Sequence, residues 1–396
     1  MINILYIQPY ASHVGGVDTV LLQLVQGLDK TKYKPYVVLP GHSPYVEKYE
    51  AAGATVLFSV LAVFGKPTDP MYFARNFVNL FRSIRSIRQI ASKYNIDLIH
   101  SHKMELIGGN IAGKLMGIPT LQTVHELPRK PLIAYKFVGY LNHCFNDKVI
   151  VLCDRSKTMF KWGKQHSSKL IKIYNGIHVE QLAVQNKTVH PLKKELDLKD
   201  QDKIIITVAR LSPMKGIEYL LKAAHLTKKT DPSLKYIIVG DVAFDSDLHY
   251  KESLMSSADE LELDNVFFLG LRRDIPELLS QADLFVLPSV YDIFPTVILE
   301  AMAASLPIVA TDVGGVPEMV TTDIGKLVPA MNGEAIADSI MEIFSKENKD
   351  ELGMNSRKRL MRSFTREHYI KSTVQVYDTL LQNKPISNGS TIVHDQ

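Results

Sequence analysis

The feature that most constrains this chain is a rhythm of strands and helices that runs twice. Runs at 2–7, 35–39, 54–58, 97–100, 120–123 and 148–152 are short, apolar and rich in β-branched residues, with helical patterns such as 17–28 and 71–94 between them. Strands that alternate with helices imply βαβ units, because parallel neighbours need a crossover that a helix supplies. The rhythm then starts afresh, with runs at 204–208, 235–239, 266–269, 284–287 and 308–310. The expected fold class is α/β, with two Rossmann-like domains whose parallel sheets bind ligands at the carboxyl ends of their strands. A twin-domain chain of this kind places its substrate site in a cleft between the halves.

At 396 residues the chain exceeds what one core serves. The first domain is expected over 1–182, and a polar, Lys-rich linker over 183–202. The second domain follows over 203–364, then a last helix over 365–382 that packs back on the first domain, and a polar tail over 383–396. Charge divides along the same line. Residues 1–180 carry 22 Lys and Arg against 11 Asp and Glu, whereas 181–396 carry 24 against 31. This gives the first domain a long-range preference for anionic partners, beside the plainer reading of a solvated basic surface.

The two cysteines, Cys144 and Cys153, form no CxxC pair, which fits a reducing cytosol and excludes a disulfide scaffold. The apolar start without a basic leader reads as a first buried strand, and no stretch has the length of a membrane span. The expected location is the cytoplasm, with peripheral attachment to the inner face of the membrane as a further reading. That reading rests on the pattern at 71–94, which places Phe73, Phe77, Leu80, Phe81, Ile84 and Ile87 on one face and Arg75, Arg82, Arg85 and Lys93 opposite. Either the helix packs on the sheet with its basic face in water, or that face rests on anionic lipid.

The densest chemical signal is PSVYDIFPTVILEAMAASLPIVATDVGGVPEMV, residues 288–320. A strand ends, a loop carries Asp292 and Phe294, and Pro295 suits a first helical turn. The free N–H groups near Thr296 and Val297 favour a phosphate. Glu300 sits among apolar residues and needs a partner, which a pair of ribose hydroxyls would supply. Read alone, the same residues could be a capping Asp and a core-edge Glu. The second signal is TVARLSPMKGIEYLL, residues 207–221, where a strand delivers Arg210 and Lys215 follows before Gly216 and a helix. Two cations at such a turn suit a diphosphate, Arg as a planar fork and Lys as a point charge. Gly15 and Gly16 sit between the first strand and a helix, where backbone without a side chain can approach a phosphate or sugar. The loop is not GxGxxG, which argues against a dinucleotide oxidoreductase. His125 in TVHEL lies just past a strand end, and His100 and His102 end the preceding strand.

With these residues in view, the chain resembles the large retaining glycosyltransferase family 4. In that family's signature an acidic residue, a Phe and a Glu eight positions after the first line the donor site; here Asp292, Phe294 and Glu300 keep the spacing. The chain departs from the pattern in having Asp where Glu is usual and Pro295 where Gly is frequent. The resemblance extends over about residues 2–380, through YNG at 174–176, VGD at 239–241, the stretch 268–289 and VGGVPEMV at 313–320. It implies a GT-B fold with the acceptor side in the first domain and the nucleotide-sugar donor in the second. It assigns Arg210 and Lys215 to the departing nucleoside diphosphate, His125 to the donor sugar, Leu271 to the nucleobase through its backbone, and Gly15-Gly16 to the first glycine loop. His102 is read as an acceptor-side residue and His100 as structural.

The implied activity is transfer of a hexosyl group, with retention, from a UDP-sugar in preference to a GDP-sugar. The acceptor would be a sugar or a lipid-linked sugar, in the synthesis of surface polysaccharide or another glycoconjugate. Neither a cofactor nor a metal is expected, because Arg210 and Lys215 can neutralise the diphosphate and Asp245-Ser246-Asp247 reads as a solvated loop. No nucleic acid partner is expected. Two other readings stay open on these residues: a non-catalytic nucleotide-sugar binding subunit, and an enzyme like UDP-GlcNAc 2-epimerase on the same fold.

Overall fold

The computed structural model describes residues 1–9, 16–64, 71–129, 132–160, 168–182, 191–345 and 349–382. Gly15, the linker residues 183–190 and the tail 383–396 therefore lie outside the described residues, as does the side chain of Phe73. The chain divides into two compact units. One contains the described residues of 1–151 and 156–173 together with those from Ile370 on; the other contains 152–155 and 174–369.

The first unit is built on seven strands: β1 (Ile2–Ile7), β2 (Tyr33–Leu39), β3 (Thr55–Phe58), β4 (Leu98–His102), β5 (Thr120–Val124), β6 (Lys148–Val151) and β7 (Leu170–Lys172). All pair in parallel, in the order β3-β2-β1-β4-β5-β6-β7. The central strands β4 and β5 are buried along their whole length, as expected where helices cover both faces of a sheet. The order reverses between β1 and β4, which opens a crevice at their carboxyl ends.

The second unit repeats the plan with six parallel strands. These are β8 (Lys203–Val208), β9 (Leu234–Val239), β10 (Val266–Gly270), β11 (Leu284–Leu287), β12 (Ile308–Thr311) and β13 (Gly325–Val328), in the order β10-β9-β8-β11-β12-β13. Its reversal lies between β8 and β11. Apolar clusters pack on both faces of this sheet, one around Ile204, Ile237, Phe285 and Ile298, the other around Ile205, Tyr236, Val286 and Ile340.

The structure departs from the sequence reading in three places. β7 and β13 were not foreseen; both are short edge strands with a Lys inside, and their pairing rather than their pattern defines them. Within the stretch read as linker, residues from 191 on belong to the second core: Leu192 is fully buried and its N–H donates to Gln281 Oε1 at 2.7 Å. In the helix Tyr72–Lys93, Phe77 and Phe81 do not join the buried face. They are 58% and 59% exposed and meet edge to face at 5.0 Å. The buried seam runs instead through Tyr72, Asn76, Ser83, Ile87 and Ala91. It is set by close approach of the helix Gly108–Met116, where a Cβ on Gly108 would stand 2.6 Å from Ser83 Oγ.

Candidate active site

In the second unit the loops that leave β8 and β11 are clamped together. Met214 O accepts from the N–H groups of Val290 and Tyr291 at 2.9 and 3.1 Å. Gly216 makes the approach possible: its φ is +64°, and a Cβ there would stand 2.3 Å from Pro288 O. The clamp sets Lys215 Nζ 2.5 Å from Asp292 Oδ2, with both side chains largely shielded from water. The other Asp292 oxygen accepts the N–H of Ile293 at 3.1 Å. Four residues on, the helix Thr296–Ala303 begins behind Pro295 at its N-cap, and no side chain caps it. The N–H groups of Thr296 and Val297 therefore lack intrahelical acceptors and face a region that favours an anion.

Arg210 lies two residues past β8. It is exposed and forms no ion pair among the described residues, its guanidinium resting 5.9 Å from the Phe244 ring centroid. Glu300 is half-buried, burial raises its pKa, and its carboxyl has no partner among the described residues. Leu271 follows β10 and Gly270 (φ +63°) and is 79% exposed. The Phe294 ring is buried, stacked on Tyr174 at 5.4 Å and edge-on to Phe364 at 5.8 Å, so it anchors the loop in the core.

In the first unit, three histidines meet at the ends of β4 and β5. His102 Nδ1 and His125 Nε2 are 3.2 Å apart with their rings stacked, so one donates and the other accepts. Burial holds both pKa values down, His102 to about 3, and both are neutral at neutral pH. His100 lies deeper, its ring nitrogens bonded to Tyr377 Oη at 2.8 Å and Thr123 Oγ1 at 2.7 Å, which suits a structural role. Gly16 opens the helix Gly16–Gly27 after β1, and no atom of the described residues lies within 4 Å of where a Cβ would stand.

Sequence reasoning passed over Glu126. Its Oε2 accepts the N–H of Met104 at 3.2 Å and of His125 at 2.9 Å, which ties the turn after β4 to the end of β5 and fixes the backbone of His125. Its Oε1 is buried without a partner among the described residues, and burial raises its pKa to about 7. The signal was its place beside His125 in TVHEL. Among the described residues no group of His, Cys, Asp and Glu could hold a metal ion. No described helix is long and apolar enough to cross a membrane.

The family model for Glycosyltransferase Family 4 matches residues 14–181, and that for Glycosyl transferases group 1 matches residues 190–359. Over 381 residues the chain is 24% identical to the UDP-Gal:alpha-D-GlcNAc-diphosphoundecaprenol alpha-1,3-galactosyltransferase of Escherichia coli, covering 92% of this chain and 96% of that protein. It is 29% identical over 306 residues to the N-acetyl-alpha-D-glucosaminyl L-malate synthase of Bacillus anthracis, covering 74% of this chain and 76% of that one. Its fold is similar to that of Anabaena HepE solved in complex with UDP, with a TM-score of 0.82, 21% identity, and coverage of 96% and 100%. Matched in turn by these two models, and built on two parallel-sheet α/β units as GT-B structures are, this chain belongs to glycosyltransferase family 4 and is a glycosyltransferase.

Proposed function

We propose that the enzyme transfers a hexosyl group with retention from a UDP-sugar to a sugar or lipid-linked acceptor in the assembly of a surface glycoconjugate. The observation that carries this reading is Arg210, which forms no ion pair among the described residues, in the same unit as the Lys215–Asp292 pair and the uncapped helix at Thr296. The bond from the anomeric carbon to phosphate breaks with its electron pair on the leaving oxygen. Arg210, Lys215 and the N–H groups of Thr296 and Val297 stabilise the charge that grows there. Asp292, held by Lys215, positions that lysine. Glu300, half-buried and without a partner among the described residues, accepts the ribose hydroxyls, and the backbone around Leu271 meets the base. The acceptor oxygen attacks from the face the diphosphate leaves, and its proton passes to the leaving phosphate oxygen. Neutral His125 contacts the donor sugar, His102 serves the acceptor side, and Gly15-Gly16 provide close backbone approach. The UDP named with the HepE structure and the UDP-galactose donor named for the Escherichia coli relative support the choice of base.

The test is a thermal-shift and hydrolysis screen against UDP-, GDP- and ADP-sugars, with and without EDTA. UDP-sugars should raise the melting temperature and release UDP whether or not EDTA is present. Arg210→Ala should lower hydrolysis by at least roughly a hundredfold, as expected for loss of one charge-stabilising group. Stabilisation by GDP- or ADP-sugars alone would overturn the choice of base, and an inverted anomeric proton signal by NMR would overturn retention.

A further inference from the structure

One face of the first unit is made of three helices that contain no Asp or Glu. Tyr72–Lys93 carries five Arg and Lys, while Gly108–Met116 and Leu132–Phe145 carry one each. The middle helix packs against both of the others, and its one cation, Lys114, lies 3.7 Å from Asp147. Among the cations stand large apolar side chains open to solvent: Phe77 at 58%, Phe81 at 59%, Ile133 at 73% and Phe137 at 54%, with Val78 and Leu132 beside them. Phe81, Ile84 and Met116 also line an open groove of about 900 Å³, bordered by Arg85, Arg88 and Lys93. A surface that serves only solubility mixes both signs of charge and leaves few aromatics exposed. This one combines cations with exposed aromatic and aliphatic groups, the composition that sits in an anionic lipid interface.

We infer that this three-helix face docks on an anionic bilayer, with Phe77, Phe81, Ile133 and Phe137 entering the headgroup region and the cations meeting lipid phosphates. The geometry places the apolar side chains at the working edge of the unit. Helices that cross over between parallel strands run antiparallel to them, so their first turns lie at the carboxyl edge of the sheet. Asn76, one residue before Phe77, accepts the N–H of Val63 at 3.3 Å, and Phe64 donates to Glu105 O at 3.1 Å, three residues past His102. Leu132 and Ile133 likewise begin the helix that follows His125. Docking thus brings the edge that bears His102 and His125 to the lipid surface, where a lipid-linked acceptor presents its sugar. Vesicle binding is read without turnover, so its outcome is separate from that of the donor and acceptor readings above.

The experiment is flotation of the full chain with vesicles of phosphatidylcholine alone and of phosphatidylcholine mixed with phosphatidylglycerol, at low and high salt. Binding is expected to the mixed vesicles only, and to weaken with salt. Arg82→Gln/Arg85→Gln should lower partitioning by roughly tenfold or more, since each cation near such a surface matters separately. Phe77→Ser/Phe81→Ser should lower it at both salt concentrations, while Met354→Ser, an exposed apolar residue of the second unit, should leave it unchanged. All the substituted residues are exposed, and unaltered melting would show that the fold is intact. Equal or absent binding to the two vesicle types would overturn the inference. So would retention of binding by both double variants, or lipid-free self-association that Phe77→Ser/Phe81→Ser abolishes, which would mark the face as a contact between copies of this chain.

Discussion

Glu126 shows how a side chain gains its meaning from burial. With its pKa raised from an ordinary 4.5 to about 7, the folded chain holds a proton there that the unfolded chain has released. Between those two pH values stability therefore falls as pH rises, by up to about 3 kcal/mol. Glu126→Gln keeps an oxygen to accept the N–H groups of Met104 and His125 but removes the titration. Its loss of stability from pH 5 to 8, measured by denaturant unfolding, should be smaller than that of the wild type; an unchanged slope would show that Glu126 does not titrate in this window. His100, His102 and His125 act in the opposite sense, because burial keeps them neutral and stability is lost as pH falls through their ordinary value of 6.5. The comparison of variant with wild type isolates the carboxyl from that background. Lys215, Asp292 and His125 were legible as site candidates because cations, carboxylates and imidazoles at strand ends carry chemistry wherever they occur. The inward turn of Phe294 was not, because a local pattern does not state which way a loop aromatic points.

At the scale of elements, the strand–turn–helix unit around Gly216 joins sequence to chemistry most directly. Its left-handed φ favours glycine, and its 2.3 Å approach to Pro288 O requires that no Cβ be present. Gly216→Ala should cost about 1–3 kcal/mol of stability from backbone strain and contact together. On the UDP-sugar reading proposed above it should also weaken UDP binding, because the turn that carries Lys215 must move away from Asp292. Calorimetric unfolding and UDP titration check this, and an alanine variant with unchanged affinity would separate the clamp from the site. Eleven of the thirteen strands among the described residues were readable from short runs rich in apolar and β-branched residues, the pattern that strands covered by helices favour. The edge strands β7 and β13 were not, since half-exposed residues such as Lys172 and Lys326 carry no such constraint. The helix Tyr72–Lys93 misled for a related reason. Its periodicity names an apolar face, but the buried seam passes Gly108 of the neighbouring helix, and Phe77 and Phe81 fall outside it.

For the molecule as a whole, the first unit is completed by the far end of the chain. Tyr377 Oη bonds His100 Nδ1 at 2.8 Å and Tyr6 Oη at 3.2 Å, all fully buried, and Asp378 accepts from Lys32 and Tyr33 at 2.8 Å. A chain ending at residue 365 would leave these polar groups unpaired and uncover the core beneath Tyr377 and Leu380. Its melting temperature should fall by several degrees or more, with loss of near-ultraviolet circular dichroism, as buried donors and acceptors lose their partners. An unshifted melting temperature would show that the unit closes without this helix. The sequence by itself determined that there are two parallel-sheet α/β units and where most of their strands lie, and it named the loops whose residues are site candidates. Burial of both sheet faces and the turn after each strand impose those patterns locally, within a few residues of one another. Only the tertiary structure decided that Lys215 meets Asp292 and that His102 pairs with His125. It alone decided that a carboxyl oxygen of half-buried Glu126 is shut off from water, that Tyr377 closes the first core and that Phe77 faces solvent. Each of these depends on which distant segment packs alongside, and a linear pattern does not contain that choice.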